Sequence, residues 1–280
     1  MLFIHYLKKI AQYLGLLSVK TNVVYAVSFP KSGRSWLEFM IAKIYADLLH
    51  IPIEWFLKKK KTGGDNLPRI LFGHGYKNTT IAQGKNFPIT YYKNKKIFLL
   101  VRDPRDVVVS HYYNEKYRSK NFNGTISEFI RFPYFNERTK SIKARYGIKP
   151  IINYMNAWIT NSNIFRNLFI AYYEDIRLDV YGQFKIILNY IGVKVPEHFI
   201  HSAIDYGQFD NMRRVELNGK VNWHGFSTSN DERSLKTRKG IVGGYQQELS
   251  PEDIDYINFE IEQNLDTFYH RYKKKSTIHF

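Results

Sequence analysis

Cysteine is absent from the 280 residues of this chain. Its absence rules out disulfide bonds, zinc sites built on thiolates and catalysis by a thiol nucleophile. The chain has 9 histidines, but they are scattered, and none follows the His-x-x-x-His spacing that places two rings on one helical face. The sequence therefore predicts no metal site.

Long hydrophobic runs are also missing. No segment approaches the roughly 20 apolar residues that a membrane-spanning helix needs. Residues 1–19 mix Leu, Ile and Tyr with Lys8, Lys9 and Gln12, which is too polar for a signal-peptide core. We expect an N-terminal helix over residues 1–20, which either packs on the domain or makes peripheral contact with a membrane. A cytoplasmic location follows as an expectation.

Acidic residues are few relative to basic ones. Asp and Glu total 25 against 42 Lys and Arg, which gives a formal net charge of +17. Such a charge attracts anionic partners such as nucleotides, nucleic acids, acidic glycans or an anionic bilayer. The abundance of Lys together with Ile, Asn and Tyr is equally typical of a biased genome composition, so the charge alone selects no partner.

Predicted strands and helices alternate along the chain. Residues 23–29 and 96–101 are apolar and β-branched, whereas residues 35–49 have helical spacing with Ser35 placed to cap the helix. The remaining predicted elements are two short strands and five helices, over residues 69–72, 168–172, 104–112, 125–132, 151–165, 181–191 and 250–272. This alternation favours an α/β fold in three layers, α/β/α, with a central, mainly parallel sheet.

We expect one domain spanning residues 1–280, because no linker is long enough to mark a boundary. The Lys- and Gly-rich residues 58–64 have the composition of a solvated linker within it. Residues 211–239 are polar and lack periodicity, which predicts a mobile loop that closes over the functional site.

A candidate anion-binding loop follows the first predicted strand. It consists of Pro30-Lys31-Ser32-Gly33-Arg34-Ser35-Trp36 and leads into the first predicted helix. Backbone N–H groups at such a junction point at a bound phosphate, Gly33 permits close approach, and Lys31 adds a positive charge. The patterns Gly-x-x-x-x-Gly-Lys-Ser/Thr and Gly-x-Gly-x-x-Gly are both absent, which disfavours a standard kinase or GTPase and a dinucleotide dehydrogenase.

Several segments resemble, in order, motifs of the cytosolic-type sulfotransferase family. Residues 29–36 read Phe-Pro-Lys-Ser-Gly-Arg-Ser-Trp and are similar to the family's 5′-phosphosulfate loop, Tyr-Pro-Lys-Ser-Gly-Thr-Thr-Trp. Residues 101–110 are similar to its 3′-phosphate segment, Val-Arg-Asn-Pro-Arg-Asp-Val-x-x-Ser. Residues 173–175, 209–213 and 238–243 resemble its Tyr-Glu-Asp, Phe-x-x-Met-Lys and Arg-Lys-Gly-x-x-Gly motifs.

This resemblance implies a P-loop-NTPase-like fold and transfer of a sulfuryl group from 3′-phosphoadenosine-5′-phosphosulfate (PAPS) without a metal. It implies a catalytic set of His74 as general base, Lys31 and Ser110. The donor-binding residues that it implies are Lys31, Ser32, Gly33, Arg34, Ser35, Trp36, Arg102, Ser110, Tyr173, Phe209, Arg238, Lys239 and Gly240. Among them, Lys31 would contact the phosphosulfate bridge, and Trp36 would stack on adenine or belong to the core.

Some positions depart from the family pattern. Arg34 replaces the commoner Thr, and Phe72 replaces the Lys that often stands two residues before the family's His. Arg34 therefore either holds the donor or substitutes for the cation missing at Phe72. Gly207 stands where the family has a hydroxyl-bearing residue, and residues 245–250 lack its dimer motif, which leaves the oligomeric state open.

The expected acceptor loops, residues 116–146 and 211–236, are rich in Arg, Lys, Asn and aromatic residues. They favour a polar or anionic small molecule, glycan or glycolipid that accepts on a hydroxyl or amine, and no nucleic-acid partner is expected. The alternatives are a nucleotide kinase of related phosphate-loop fold and a non-enzymatic polyanion-binding protein.

Overall fold

The structure, a computed structural model, describes residues 23–59, 67–75, 89–132, 146–219, 226 and 229–273. Within these residues the strands are β1 (Val23–Ser28), β2 (Arg69–Gly73), β3 (Lys96–Val101) and β4 (Asn167–Tyr172). All neighbouring strands pair in parallel, in the order β2-β1-β3-β4. The predicted parallel sheet is thus confirmed, whereas the predicted N-terminal helix lies outside the described residues.

Helices cover both faces of this sheet. They are α1 (Arg34–Leu48), α2 (Ile53–Lys59), α3 (Pro104–Tyr113), α4 (Ile126–Ile130), α5 (Lys149–Thr160), α6 (Tyr173–Leu178), α7 (Val180–Ile191), α8 (Glu197–Tyr206), α9 (Phe209–Leu217) and α10 (Pro251–Asn264). A π-helical turn, Asn114–Arg118, continues α3, and a 3₁₀ segment, Thr267–Tyr272, follows α10.

Alternation along the strands divides the core into two clusters. Phe98 and Leu100 of β3 pack in one buried cluster with residues of α1, α7 and α8. Ile97 and Leu99 point to the other face, where they join residues of α3, α5 and α10. Successive strand residues point to opposite faces, so the sheet is the middle layer of the predicted α/β/α sandwich.

Local sequence signals account for several helix ends. Asp103 accepts a hydrogen bond from the Arg105 backbone at the start of α3, where Pro104 is the first helical residue, as predicted. Thr125 and Glu128 form the predicted capping box before α4. Gly192, at φ 88°, ends α7 as expected for a left-handed C-cap.

The prediction that Ser35 caps the first helix is wrong. Helix α1 begins at Arg34, and its N-cap is Gly33, whose φ of 96° makes the turn from the loop into the helix. The sequence pattern favoured the hydroxyl residue because a serine cap is a local signal. A glycine cap depends instead on the direction in which the chain leaves the strand.

Two predicted loops are partly helical. Residues 211–217 belong to α9, which buries Met212 and Glu216 along one side. Glu216 is a polar residue on the buried side of α9, so it interrupts the apolar periodicity by which a sequence predicts a helix. The Lys-rich segment begins inside α2, which ends at Lys59, and residues 60–66 lie outside the described residues.

Two other helices are shorter than predicted. Helix α5 begins at Lys149 and ends at Thr160, before a 3₁₀ turn at Ser162–Ile164. Helix α10 ends at Asn264, so only a 3₁₀ segment extends to Tyr272. In both cases the apolar residues continue beyond the helix and are buried in the same cluster, which made the helices look longer in the sequence.

Candidate functional site

Each strand of the sheet ends beside a predicted site residue. Lys31 follows β1, His74 follows β2, Arg102 follows β3, and Tyr173 follows β4. In a parallel sheet all carboxyl ends lie at one edge, so these side chains, which are distant in sequence, come together there.

They line one cavity of about 440 Å³. All the predicted site residues contribute to its wall except Ser32, which is buried with 2% of its surface exposed. Segments that the family resemblance assigned to the 5′ and the 3′ ends of the donor thus face the same space. The cavity is therefore the candidate active site.

The loop after β1 contains two residues with positive φ angles. Lys31 has a φ of 74°, and Gly33 has a φ of 96°. A Cβ atom at Gly33 would lie 2.5 Å from Cδ2 of Tyr173. Both the positive φ and this close approach require glycine, so the ring of Tyr173 forms the floor of the loop.

His74 is oriented by the end of β1. Its Nδ1 lies 3.0 Å from the carbonyl oxygen of Ser28. In the tautomer that donates to this carbonyl, Nδ1 carries the proton and Nε2 the lone pair; Arg34 Nη1 also lies 3.2 Å from Nδ1. The Arg34 guanidinium lies against the same ring, with Nη2 donating to Nε2 at 3.3 Å. A neutral imidazole with its basic nitrogen facing a cation is suited to accept a proton beside an anionic group.

Arg102 is buried at the end of β3 and is held from several sides. Its Nη2 donates to Asp106 Oδ2 at 3.2 Å and to the carbonyl oxygen of Ile241 at 2.9 Å. Its guanidinium also lies 4.4 Å from the ring centroid of Tyr173. Such a constrained guanidinium presents fixed donors to an anion at little entropic cost.

Asp106 connects the late loop, residues 238–243, to α3. Its carboxylate accepts hydrogen bonds from the backbone N–H groups of Gly243 at 2.9 Å and Tyr245 at 3.0 Å. Its neighbour Arg105 forms an ion pair with Asp103, whereas Asp106 positions a loop more than a hundred residues away.

The cations of the late loop share one carboxylate. Arg238 Nη1 lies 2.6 Å and Lys239 Nζ 2.5 Å from Glu248 Oε1, and Tyr113 donates to Oε2 at 2.6 Å. Burial opposes ionisation of Glu248, but these donors outweigh it and lower its pKa. Glu248 therefore stays ionised and holds both cations at the rim of the cavity.

Trp36 lines the cavity instead of lying wholly in the core. Its indole N–H donates to the carbonyl oxygen of Gly207 at 2.8 Å, and its ring packs edge-on against Tyr173 at 5.8 Å. The Arg177 guanidinium lies 5.3 Å from the indole. Phe209 and Gly240 also line this region, which gives the cavity an aromatic wall beside its charged ones.

The cavity wall includes Asn114 and Arg177, which were not predicted, and Arg118 and Lys236, which lie in the expected acceptor loops but were not singled out. Lys31 Nζ donates to Asn114 Oδ1 at 3.3 Å, and Arg118, Arg177 and Lys236 add positive charge. Burial and the nearby Arg118 lower the pKa of Lys31 to about 8. No sequence motif marks these residues, because they meet the loop only through the fold.

The described residues contain no group of three or more His, Asp or Glu side chains placed to hold a metal ion. They also contain no helix that is both long and apolar enough to cross a membrane.

Comparison with known proteins was made on sequence and on structure. The model of the family described as "Sulfotransferase domain" matches residues 83–269. Sulfotransferase 1E1 of Bos taurus is 24% identical over 274 residues, which covers 91% of this chain and 84% of the relative. The amine sulfotransferase of Oryctolagus cuniculus is 20% identical and covers 93% of this chain and 86% of the relative.

Solved structures show the same fold. Mouse sulfotransferase SULT7A1, complexed with PAP, superposes with a TM-score of 0.60 over 94% of this chain and 92% of that one, at 18% identity. Retinol dehydratase, in complex with androsterone and PAP, superposes with a TM-score of 0.61 over 88% and 81% of the two chains, at 16% identity.

Proposed function

Because the chain belongs to the sulfotransferase domain family, we propose that it transfers a sulfuryl group from PAPS to an acceptor hydroxyl in the cavity described above. Family membership confirms the predicted class of enzyme, and it gives no support to a kinase or a polyanion-binding protein. The observation that carries the proposal is the shared cavity, in which cations from the β1 loop, the start of α3 and the late loop lie together with His74.

The residues of the cavity fit the two anionic ends of PAPS. Lys31 and the backbone of the β1 loop would bind the 5′-phosphosulfate, since this loop leads directly into the N-terminus of α1. Arg102 would bind the 3′-phosphate with Ser110 and the cations of the late loop. The aromatic wall formed by Trp36 and Phe209 would contact the adenine.

PAPS, when bound, supplies a sulfuryl group whose bond to the 5′-phosphate breaks with the electron pair on the phosphate oxygen. Lys31 would stabilise negative charge at that oxygen, because its ammonium is held in the loop by Asn114. His74 would take the acceptor proton on Nε2, since Nδ1 already donates to Ser28. Arg34 lies at the same nitrogen and would move to the sulfuryl oxygens as the acceptor hydroxyl replaces it.

The acceptor is proposed to be a polar hydroxyl compound, such as a small molecule, glycan or glycolipid. The support is the cavity wall, which carries Asn114, Arg118 and Lys236 where a steroid would need apolar side chains. Retinol dehydratase was crystallised with androsterone, and that ligand belongs to that protein. The cytoplasmic location remains a prediction.

Thermal unfolding with adenosine 3′,5′-bisphosphate (PAP) tests the donor site. A ligand that binds only the folded state at one hundred times its dissociation constant stabilises it by about 2.7 kcal/mol, which raises Tm by roughly 5 °C. We expect this rise with PAP but not with ATP and magnesium, and we expect Arg102→Ala to abolish it.

Arg271→Ala is the matched control, because Arg271 pairs with Asp175 away from the cavity. Its PAP-induced rise in Tm should equal that of the wild type. Stabilisation by ATP with magnesium alone, or an unchanged PAP effect in Arg102→Ala, would sink the proposed function.

A further inference from the structure

Three cations in the cavity wall, Arg118, Arg177 and Lys236, belong to none of the segments that resemble donor motifs. Arg177 lies against the indole of Trp36, which leaves Arg118 and Lys236. Arg118 ends the π-helical turn after α3, and Lys236 precedes the late loop. Since the donor-binding residues are already supplied by the motifs, these cations need another explanation.

The π-helical turn brings Arg118 to the reacting end of the cavity. Such turns are rare and often occur at functional sites, because they redirect side chains within a helix. Asn114, at the start of the turn, accepts the hydrogen bond from Lys31, and Arg118 is close enough to lower the pKa of Lys31. No ion pair within the described part of the chain involves Arg118, so its charge acts on the cavity.

Lys236 is fixed through its backbone by a buried carboxylate. Glu216, which has no exposed surface, accepts hydrogen bonds from the Lys236 N–H at 2.8 Å and from the N–H and hydroxyl of Thr237 at 2.9 and 2.8 Å. This clamp holds Lys236 beside the cavity. Burial and the charges of Lys31, Arg118 and Arg34 lower the pKa of Lys236 to about 7.

The carboxylates near these cations do not cancel their field. Glu216, Glu115 and Glu38 each act on Lys31 or Lys236 in the direction that raises the pKa. Both carboxylate oxygens of Glu216 accept hydrogen bonds from the backbone of Lys236 and Thr237. The Glu115 carboxylate accepts hydrogen bonds from the side-chain amides of Asn114 and Asn121. Burial is the main cause that lowers the pKa of both lysines, and the neighbouring cations lower it further, so an anion bound among them would favour their charged forms.

We infer that the acceptor carries an anionic oxygen group beside its hydroxyl, such as a carboxylate or a sulfate or phosphate ester, and that Arg118 and Lys236 bind this group. The inference rests on the proposed function, because it takes His74 as the place where the acceptor hydroxyl is deprotonated. The phosphosulfate would bind to the β1 loop, so Arg118 and Lys236 are left to face the acceptor. With a neutral acceptor, the charges of Arg118 and Lys236 would still repel that of Lys31. A bound anionic group would offset this electrostatic repulsion.

The test compares charged and neutral ligands of equal shape on PAP-saturated protein, by calorimetry at about 0.15 M ionic strength. One pair is 4-hydroxybenzoate and 4-hydroxybenzamide, which probes a carboxylate. The other pair is glucose 6-phosphate and glucose, which probes a phosphate ester. We expect at least one anion to bind roughly tenfold more tightly than its neutral counterpart, a difference of about 1.4 kcal/mol.

Arg118→Met and Lys236→Met should each reduce that ratio at least threefold, and the double variant should abolish it. Arg271→Met, a substitution away from the cavity, should preserve it. The ratio is taken within each variant, so a change in PAP affinity cancels. Equal binding of both members of each pair, no anion binding at millimolar concentration, or an unchanged ratio in the double variant overturns the inference. If PAP itself does not bind the wild type, the proposed function has failed instead.

Discussion

The contact between Arg34 and His74 couples the β1 loop to the proposed general base. Arg34 opens α1 directly after the loop, and His74 follows the neighbouring strand, so a rigid parallel pair of strands sets their distance. The position two residues before His74 is Phe72, which packs against the core cluster under α1. Arg34 is therefore placed to replace the cation missing at Phe72, and holding the donor is the other role that the sequence predicts for it.

His74→Asn should lower kcat for sulfuryl transfer by a factor of about 10² to 10⁴, the range expected for loss of a positioned general base. The assay uses radiolabelled PAPS and any acceptor that the wild type converts. His201→Asn is the control, because His201 is exposed and stacks on Tyr181. A kcat within threefold of wild type in His74→Asn would remove the general-base role.

Protonation of Lys31 should be linked to donor binding. Burial and Arg118 lower its pKa to about 8 in the free protein, and a bound phosphate raises it again. PAP binding at pH 8.5 should therefore take up protons, and the affinity should fall as the pH rises above about 8. Calorimetry in two buffers of different ionisation enthalpy measures the uptake.

Lys31→Arg should remove most of this uptake, because the guanidinium stays charged. The Lys236→Met variant shows how much of the proton uptake comes from Lys236. The pKa of Lys236 is lowered to about 7, so this side chain is mostly neutral at pH 8.5 before PAP binds. A binding enthalpy that is the same in both buffers for the wild type would contradict the linkage.

At the scale of elements, the junction from β1 to α1 depends on Gly33. Gly33→Ala should destabilise the fold by at least the 1–2 kcal/mol that a left-handed non-glycine residue costs, and more because its Cβ would meet Tyr173. PAP binding should be lost, since either the loop or the ring has to move. Denaturant unfolding and PAP calorimetry measure both effects.

Gly243→Ala isolates the backbone cost, because Gly243 also has a positive φ, of 74°, but nothing lies within 4 Å of the added Cβ. Gly243→Ala should lower the free energy of unfolding less than Gly33→Ala does. Equal destabilisation of the two variants would show that the contact with Tyr173 is unimportant.

The clamp between α9 and the segment before the late loop depends on Glu216. Glu216→Ala would leave two buried N–H groups without their acceptor, at about 1–3 kcal/mol each. We expect a loss of more than 2 kcal/mol in the free energy of unfolding by urea. Glu232→Ala, at an exposed carboxylate that pairs with Arg213, should change it little. A similar loss in both variants would contradict the clamp.

At the scale of the whole molecule, the sheet was predictable from the sequence, and so was the meeting of the predicted site residues in one cavity. β1 and β3 are continuous apolar runs, and parallel pairing requires their carboxyl ends to meet. What the sequence does not show is contact between distant segments. Glu216 accepts a hydrogen bond from Thr237, 21 residues away, and Asp106 accepts one from Gly243, 137 residues away. Their carboxylates count as ordinary surface charges until the fold is known.

The direct test of the central claim is a crystal structure of the protein with PAP. We expect the 5′-phosphate on the loop at Lys31 and Gly33, with the 3′-phosphate in hydrogen-bond contact with Arg102 and Arg238. A nucleotide bound in another cavity, or bound here with its 3′-phosphate away from Arg102, would contradict it.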